Sequence, residues 1–236
     1  MNKDLKKLVR DRFSSFSEIE EYRKRVQSGL LPWEERISGL FLSIPGRLLD
    51  IGCGGGREAI ALSTLRHEII GIDISKAQVE SARIAARRFG KKMEFRLCNG
   101  VDLDFECGYF NYIVMWGQAF GNVPKQENRL HLLQECLRVL KHSGRLVISV
   151  HNGDVCESLV KSSKTIKTLP STELEPGDFI LQGDSGSNTK CYWHYFTKKE
   201  LIDLSNQAGF KTVKCKLASE YDQEGWDTIL VMVSEK

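Results

Sequence analysis

No apolar run in this chain approaches the ~18 residues that a membrane helix needs. The longest, Tyr112–Trp116 and Ile229–Val233, are of strand length. The start, Met1-Asn2-Lys3-Asp4-Leu5-Lys6-Lys7, lacks the apolar core of a secretion signal. Charge of one sign is scarce. Lys plus Arg total 34 against 31 Asp plus Glu, a net of +3, which excludes a protein built around a large basic surface. The seven cysteines form no C-x-x-C pair and have no regular spacing. Neither a zinc site nor a disulfide framework is therefore expected, and reduced thiols in a cytoplasmic protein are. Internal repeats and low-complexity tracts are also absent. What remains is an ordinary globular composition, with 41% hydrophobic residues to fill a core and 28% charged residues across 236 positions. The excess positive charge collects early: residues 1–25 hold eight basic and five acidic side chains, read as a solvated helix face.

Residues 1–40 read as helical, with Pro32 and Pro45 as punctuation. From Arg47 the rhythm becomes regular. Leu48–Ile51 is a short buried strand, Arg57–Leu65 a helix and Glu68–Ile74 a strand. Ser75 with Gln78 forms a capping box for the next helix, which Gly90 ends. Met93–Leu97 and Tyr112–Trp116 are further strands. Lys125–Lys141 is a helix closed by Gly144, and Arg145–Val150 is the fifth strand. Strands alternating with helices imply a parallel sheet covered on both faces. Residues 152–190, with Pro170, Pro176 and Gly183-Asp184-Ser185-Gly186-Ser187, break the rhythm and read as an inserted cover. Thr197 with Glu200 caps one more helix, which stops at Gly209. Lys211–Leu217 and Thr228–Ser234 are too close in sequence for a helical crossover, so they form an antiparallel hairpin. The expected fold is α/β: a Rossmann-like, seven-stranded, mostly parallel sheet with helices on both faces, a C-terminal antiparallel hairpin and an N-terminal helical lid. The lid is 1–44 and the main domain 45–236.

The informative stretch is Leu48-Leu49-Asp50-Ile51-Gly52-Cys53-Gly54-Gly55-Gly56-Arg57-Glu58, a strand turning into a helix through glycines. Glycine permits positive φ and lets a ligand approach the backbone. A dinucleotide site wants G-x-G-x-x-G, but position 57 is arginine, which obstructs close helix–strand packing. Asp50 would repel a pyrophosphate and favour an α-ammonium group, directly or through the loop that it orders. Asp73, seventeen residues after Gly56, ends the second strand, where an acid accepts hydrogen bonds from both ribose hydroxyls. Ile74 can then lie against an adenine face. A nucleotide that carries an amino acid and no phosphates suits this pattern best.

These blocks resemble the class I S-adenosylmethionine-dependent methyltransferases of small-molecule type. Leu48–Glu58 resembles the family's first motif, and Ile69-Ile70-Gly71-Ile72-Asp73 its ribose-binding strand end. Cys98-Asn99-Gly100-Val101-Asp102-Leu103 falls where the family often reads G-D-A-x-D-L. Leu137–Arg145 resembles R-V-L-K-P-G-G, and Tyr195–Phe210 its last helix and strand. Three departures stand out: Asn99 replaces the acid beside the adenine amino group, Asn111 replaces an acid before the fourth strand, and His142-Ser143 replaces a Pro-containing turn. The Asn99 carbonyl can still accept the adenine hydrogen bond. The resemblance implies S-adenosylmethionine as cofactor and S-adenosylhomocysteine as product. The cofactor-binding residues expected are Tyr22, Asp50, Gly52, Gly54, Asp73, Ile74, Asn99, Gly100, Val101 and Trp116, with no metal.

Methyl transfer from a sulfonium is an in-line displacement that depends chiefly on alignment, and a base helps a phenol, hydroxyl or ammonium acceptor. His151, after the fifth strand, and His194, in Cys191-Tyr192-Trp193-His194-Tyr195, are the candidate bases. The (N/D/S)-P-P-(Y/F) motif of amide- and amino-methylating family members is absent after the fourth strand, where Trp116-Gly117-Gln118-Ala119-Phe120-Gly121-Asn122 stands instead. Phe120-Gly121-Asn122 resembles a group of small bacterial methyltransferases. The expected acceptor is a small molecule, aromatic or apolar, methylated at oxygen or nitrogen by a monomer or homodimer. Nucleic acid and membrane partners are not expected. A tRNA-nucleoside methyltransferase, resembled by the Tyr192–Phe196 strand, and a non-catalytic S-adenosylmethionine-binding protein are the alternatives. A nicotinamide oxidoreductase is disfavoured by Asp50 and Arg57.

Overall fold

The computed structural model describes residues 3–162, 166–168, 174–183 and 190–236. Its centre is β1 (Arg47–Ile51). Leu48 packs into the core on one side of the sheet, while Leu49 and Ile51 pack into the core on the other. A strand with no face for water belongs inside a sheet covered on both sides. The order is β3 (Glu94–Leu97), β2 (Glu68–Asp73), β1, β4 (Phe110–Met115), β5 (Leu140–His151), β10 (Ile229–Glu235) and β9 (Lys211–Leu217). The first five are parallel, and β10 runs antiparallel to both β5 and β9. This is the expected seven-stranded sheet with its terminal hairpin.

On one face lie α3 (Pro32–Phe41), α4 (Arg57–Leu62) and α5 (Lys76–Arg88). On the other lie α6 (Gln126–Val139) and α8 (Lys198–Gln207), burying Leu132, Leu133, Cys136, Leu201 and Leu204. Order reverses beside β1, between β2 and β4, and in an open α/β sheet the ligand crevice opens outside the carboxyl ends at that point.

Two elements differ from the sequence reading. The helix over 126–139 ends at Val139, and β5 starts at Leu140 instead of Arg145 because Leu140 already pairs with Phe110 of β4. Gly144 does not close the helix. It lies within β5, where a Cβ would stand 2.8 Å from the Lys141 carbonyl oxygen, and Ser143 beside it takes the left-handed turn at φ 60°.

The cover expected near 152–190 is α7 (Gly153–Ser162) followed by a separate antiparallel sheet of β6 (Ile166–Thr168), β7 (Asp178–Gly183) and β8 (Lys190–His194). Its glycine-rich run 183–187 falls almost wholly outside the described residues. The N-terminal helices α1 (Lys3–Phe13) and α2 (Phe16–Arg25) close over the crevice. Leu5 and Val9 of α1 pack on Ile180 and Tyr192 of this sheet. At the other end of α1, Gln78 of α5 donates to the Phe13 carbonyl at 3.2 Å, and Ser14 Oγ lies 2.9 Å from Ser75 Oγ. No helix among the described residues is long and apolar enough to cross a membrane.

Candidate functional site

After β1 the chain turns through Gly52, Gly54 and Gly56 at φ +76°, +48° and +88°. The backbone N–H groups of Gly52 and Cys53 donate to the Ile72 carbonyl at 2.8 and 3.1 Å, which fastens the turn to β2. Side chains here would collide with what covers the turn. A Cβ on Gly52 would sit 2.5 Å from Ala119 Cβ, and one on Gly54 would sit 2.8 Å from Tyr22 Cδ1. Tyr22 of α2 thus lies directly on the glycines. Burial, with Glu18, Glu58 and Asp73 nearby, pushes its phenol well above the usual range.

Asp73 ends β2 facing the turn. Its Oδ2 accepts from Gly54 N–H at 2.9 Å and its Oδ1 from Ser75 N–H at 2.8 Å. Burial raises its pKa, and the backbone donors oppose that rise. Around this point lies a cavity of about 300 Å³. Asp73, Ile74, the loop 98–101, Trp116, Gly117, Ala119 and Asn122 line it. Lys6, Val9, Phe13 and Tyr22 reach it from the lid.

Nine of the ten residues expected to hold the cofactor line this one cavity; the tenth, Asp50, does not. Asp50 is only 2% exposed, and its Oδ2 has no hydrogen-bond partner among the described residues. Burial holds its carboxyl well above the usual range, with the Glu58 charge adding to the rise. It ends off the cavity lining, so the direct contact with the cofactor expected of it is not seen. Asn99 lines the cavity, but its carbonyl already accepts from Val101 N–H and Asp102 N–H, both at 2.9 Å.

Arg57, read as an obstacle to dinucleotide packing, turns away from the cavity. Its guanidinium bonds Glu34 at 2.7 and 2.8 Å, the Gly29 carbonyl at 2.8 Å and Glu58 at 2.6 Å. It thereby ties α3 and the chain before it to the start of α4. The neighbouring Glu58 reaches the cavity wall near Gly117. Its Oε1 accepts from the Arg57 guanidinium. Sequence reasoning passed over Glu58, Asn122 and the α1 side chains. The signal for Glu58 was an acid in the first turn after the glycines. The α1 residues gave none, since they meet the site only by folding over it.

Neither candidate histidine lies on the cavity wall. The His151 ring packs 4.8 Å from Trp193 and 4.9 Å from Tyr195, and burial lowers its pKa to about 4. His194 is 1% exposed and bridges two carboxylates: Nδ1 lies 2.7 Å from Asp178 Oδ1 and Nε2 lies 2.8 Å from Glu200 Oε1. Burial works against its charge, but the hydrogen bonds to Asp178 and Glu200 outweigh burial and raise its pKa. Tyr192 OH donates to the same Asp178 oxygen at 2.6 Å. Arg129 of α6, itself 1% exposed, completes the group by pairing with Glu175 at 2.9 Å.

The glycine cradle, the strand-end acid Asp73 and Glu58 on the cavity wall suit a nucleoside that carries positive charge. Residues 48–144 match the family model described as a methyltransferase domain. The chain is 28% identical over 150 residues to the ubiquinone biosynthesis O-methyltransferase of Vibrio cholerae, covering 62% of this chain and 58% of that protein. It is 32% identical over 118 residues to the 27-O-demethylrifamycin SV methyltransferase of Amycolatopsis mediterranei, covering 48% of this chain and 42% of that one. The chain therefore spans less than two thirds of the length of these curated relatives. Among solved structures, a SAM-dependent methyltransferase of Methanosarcina mazei superposes with TM-score 0.71 at 25% identity, covering 88% of this chain and 98% of the other. By the match over residues 48–144 and by its fold, the chain is similar to S-adenosylmethionine-dependent methyltransferases.

Proposed function

We propose that this protein transfers the methyl group of S-adenosylmethionine to an oxygen or nitrogen of a small-molecule acceptor. The observation that carries the reading is the convergence of the glycine turn, Asp73 and the 98–101 loop on one cavity roofed by the lid helices. Bound there, S-adenosylmethionine supplies a methyl group already activated by its sulfonium charge. The chain's own part is to bind, align and exclude water. Each Asp73 oxygen holds one backbone N–H and keeps acceptor capacity for a ribose hydroxyl. Glu58 and Asp73 on the wall give the cavity a negative character that suits a cationic ligand. Val9, Phe13 and Tyr22 close it from above, and alignment in such an enclosed site is worth up to roughly 7–11 kcal/mol. The names of the relatives above, one of them an O-methyltransferase, support an oxygen acceptor.

A thermal-shift titration with S-adenosylmethionine, S-adenosylhomocysteine, NAD and NADP tests this. A ligand of the folded state at 100 times its Kd adds about 2.7 kcal/mol. A shift with the two sulfur nucleotides alone is expected. A shift with NAD, or with nothing, overturns the reading.

A further inference from the structure

We propose that Asn122 reads the base of the bound nucleoside, its carboxamide oxygen accepting from the exocyclic amino group of adenine. The inference rests on the functional reading above and names a residue for which the family resemblance offered only Asn99. The loop that carries Asn99 is closed upon itself. The Asn99 carbonyl accepts from Val101 and Asp102 N–H, filling both of its lone pairs, and its amide donates to the Asp102 carboxylate. The Val101 N–H is engaged in the same turn. Neither the Asn99 carbonyl oxygen nor the Val101 N–H is left to recognise a base.

Asn122 is in the opposite condition. Its Oδ1 is buried with no partner among the described residues, and its side chain lines the cavity. An acceptor held away from water without a donor is costly unless a ligand completes it. The backbone around it is fixed. Phe120 is fully buried and stacks on Phe196 at 5.3 Å. Gly121 has no room for a side chain, since its Cβ would meet the His194 carbonyl oxygen at 2.8 Å.

Position agrees with chemistry. Asn122 leads into α6, and α6 is fastened to the 98–102 loop by His131 and Asp102 at 2.9 Å. Asn128 and Leu132 of α6 line the cavity together with Cys98 to Val101. Asn122 and this loop therefore line one cavity. A carboxamide matches adenine because its oxygen accepts from the amino group while its N–H₂ donates to a ring nitrogen. A 6-oxo purine places an acceptor where the amino donor was.

The test is calorimetric binding of S-adenosylhomocysteine and of S-inosylhomocysteine, its 6-oxo counterpart. Wild-type protein is expected to prefer the adenine compound by tenfold or more. Asn122→Leu, close in volume, brings the two within threefold by weakening the first. Asn122→Asp keeps the acceptor and retains the preference, and Asn99→Ala retains it too. Equal binding by wild type, a preference that survives in Asn122→Leu, or one that vanishes in Asn99→Ala overturns the assignment. Wild-type protein that binds neither compound overturns the functional reading along with it, which tells the two failures apart.

Discussion

The glycine turn is held mainly by backbone hydrogen bonds, whereas the inserted sheet is held by buried charged side chains. Gly52 and Cys53 donate to the Ile72 carbonyl, and Gly56 donates to the Cys53 carbonyl at 2.8 Å. In the cover, Arg129 meets Glu175 and Tyr192 across 46 and 63 residues, and His194 joins β8 to β7 and α8. Shape in the first region follows from which residues tolerate positive φ, so few alternatives exist. Shape in the second depends on buried ions, each of which is expensive without its partners. The first region carries the ligand cavity and the second clamps what closes over it.

That difference predicts a separation of effects. His194→Ala leaves Asp178 buried without its imidazole partner, and breaking such a pair costs about 3–5 kcal/mol. Urea unfolding should show that loss, while S-adenosylhomocysteine affinity in the folded variant stays within threefold, because His194 does not line the cavity. A parallel fall in affinity would join the two regions into one unit. Asp73→Ala should do the reverse. If Asp73 holds the ribose as proposed, two charge-assisted hydrogen bonds are lost and binding weakens by well over tenfold. Unchanged affinity in calorimetry would sink the role given to Asp73.

The contrast also explains what could be read in advance. The continuous burial of β1, the positive-φ glycines and the helix-ending Gly90 are local facts, and each stands where the sequence put it. The capping boxes were legible only by half. Ser75 Oγ accepts from Gln78 N–H, and Thr197 Oγ1 accepts from Glu200 N–H at 3.1 Å. The return partners are diverted: the Gln78 side chain reaches the Phe13 carbonyl of the lid, and that of Glu200 reaches His194. A local rule anticipates the cap and has no means of anticipating a tertiary competitor. Asn99 shows the converse. Its match to a family position suggested a base contact, while the Asx turn that it makes with Val101 and Asp102 is local and was there to be read.

A smaller effect sharpens the comparison through pH. The His194 pKa stands above the ordinary histidine value of 6.5. Its contribution is therefore fully present below that value and is lost as pH rises through the folded-state pKa. The melting temperature of wild type should fall toward that of His194→Gln between mildly acidic and alkaline buffers. A constant gap would mean that His194 is neutral throughout and only packs.

The smallest effect at neutral pH belongs to His151, where the sequence reading and the geometry pull apart most. Its ring is enclosed by Trp193 and Tyr195, off the cavity wall, with a pKa lowered to about 4 by burial. Neutral imidazole is what a base requires, but a base must also reach the acceptor. His151→Phe keeps an aromatic ring of similar size against both neighbours, so turnover and S-adenosylhomocysteine affinity should each stay within threefold of wild type. Because the folded-state pKa is depressed, the histidine's contribution is present above its unfolded value near 6.5 and fades as pH falls toward 4. The Phe variant should therefore gain on wild type in acid, opposite in sign to the His194 effect. If turnover in His151→Phe drops a hundredfold while affinity holds, His151 acts on the acceptor after all, and the cavity must extend past Trp116 toward Trp193 when both ligands are bound.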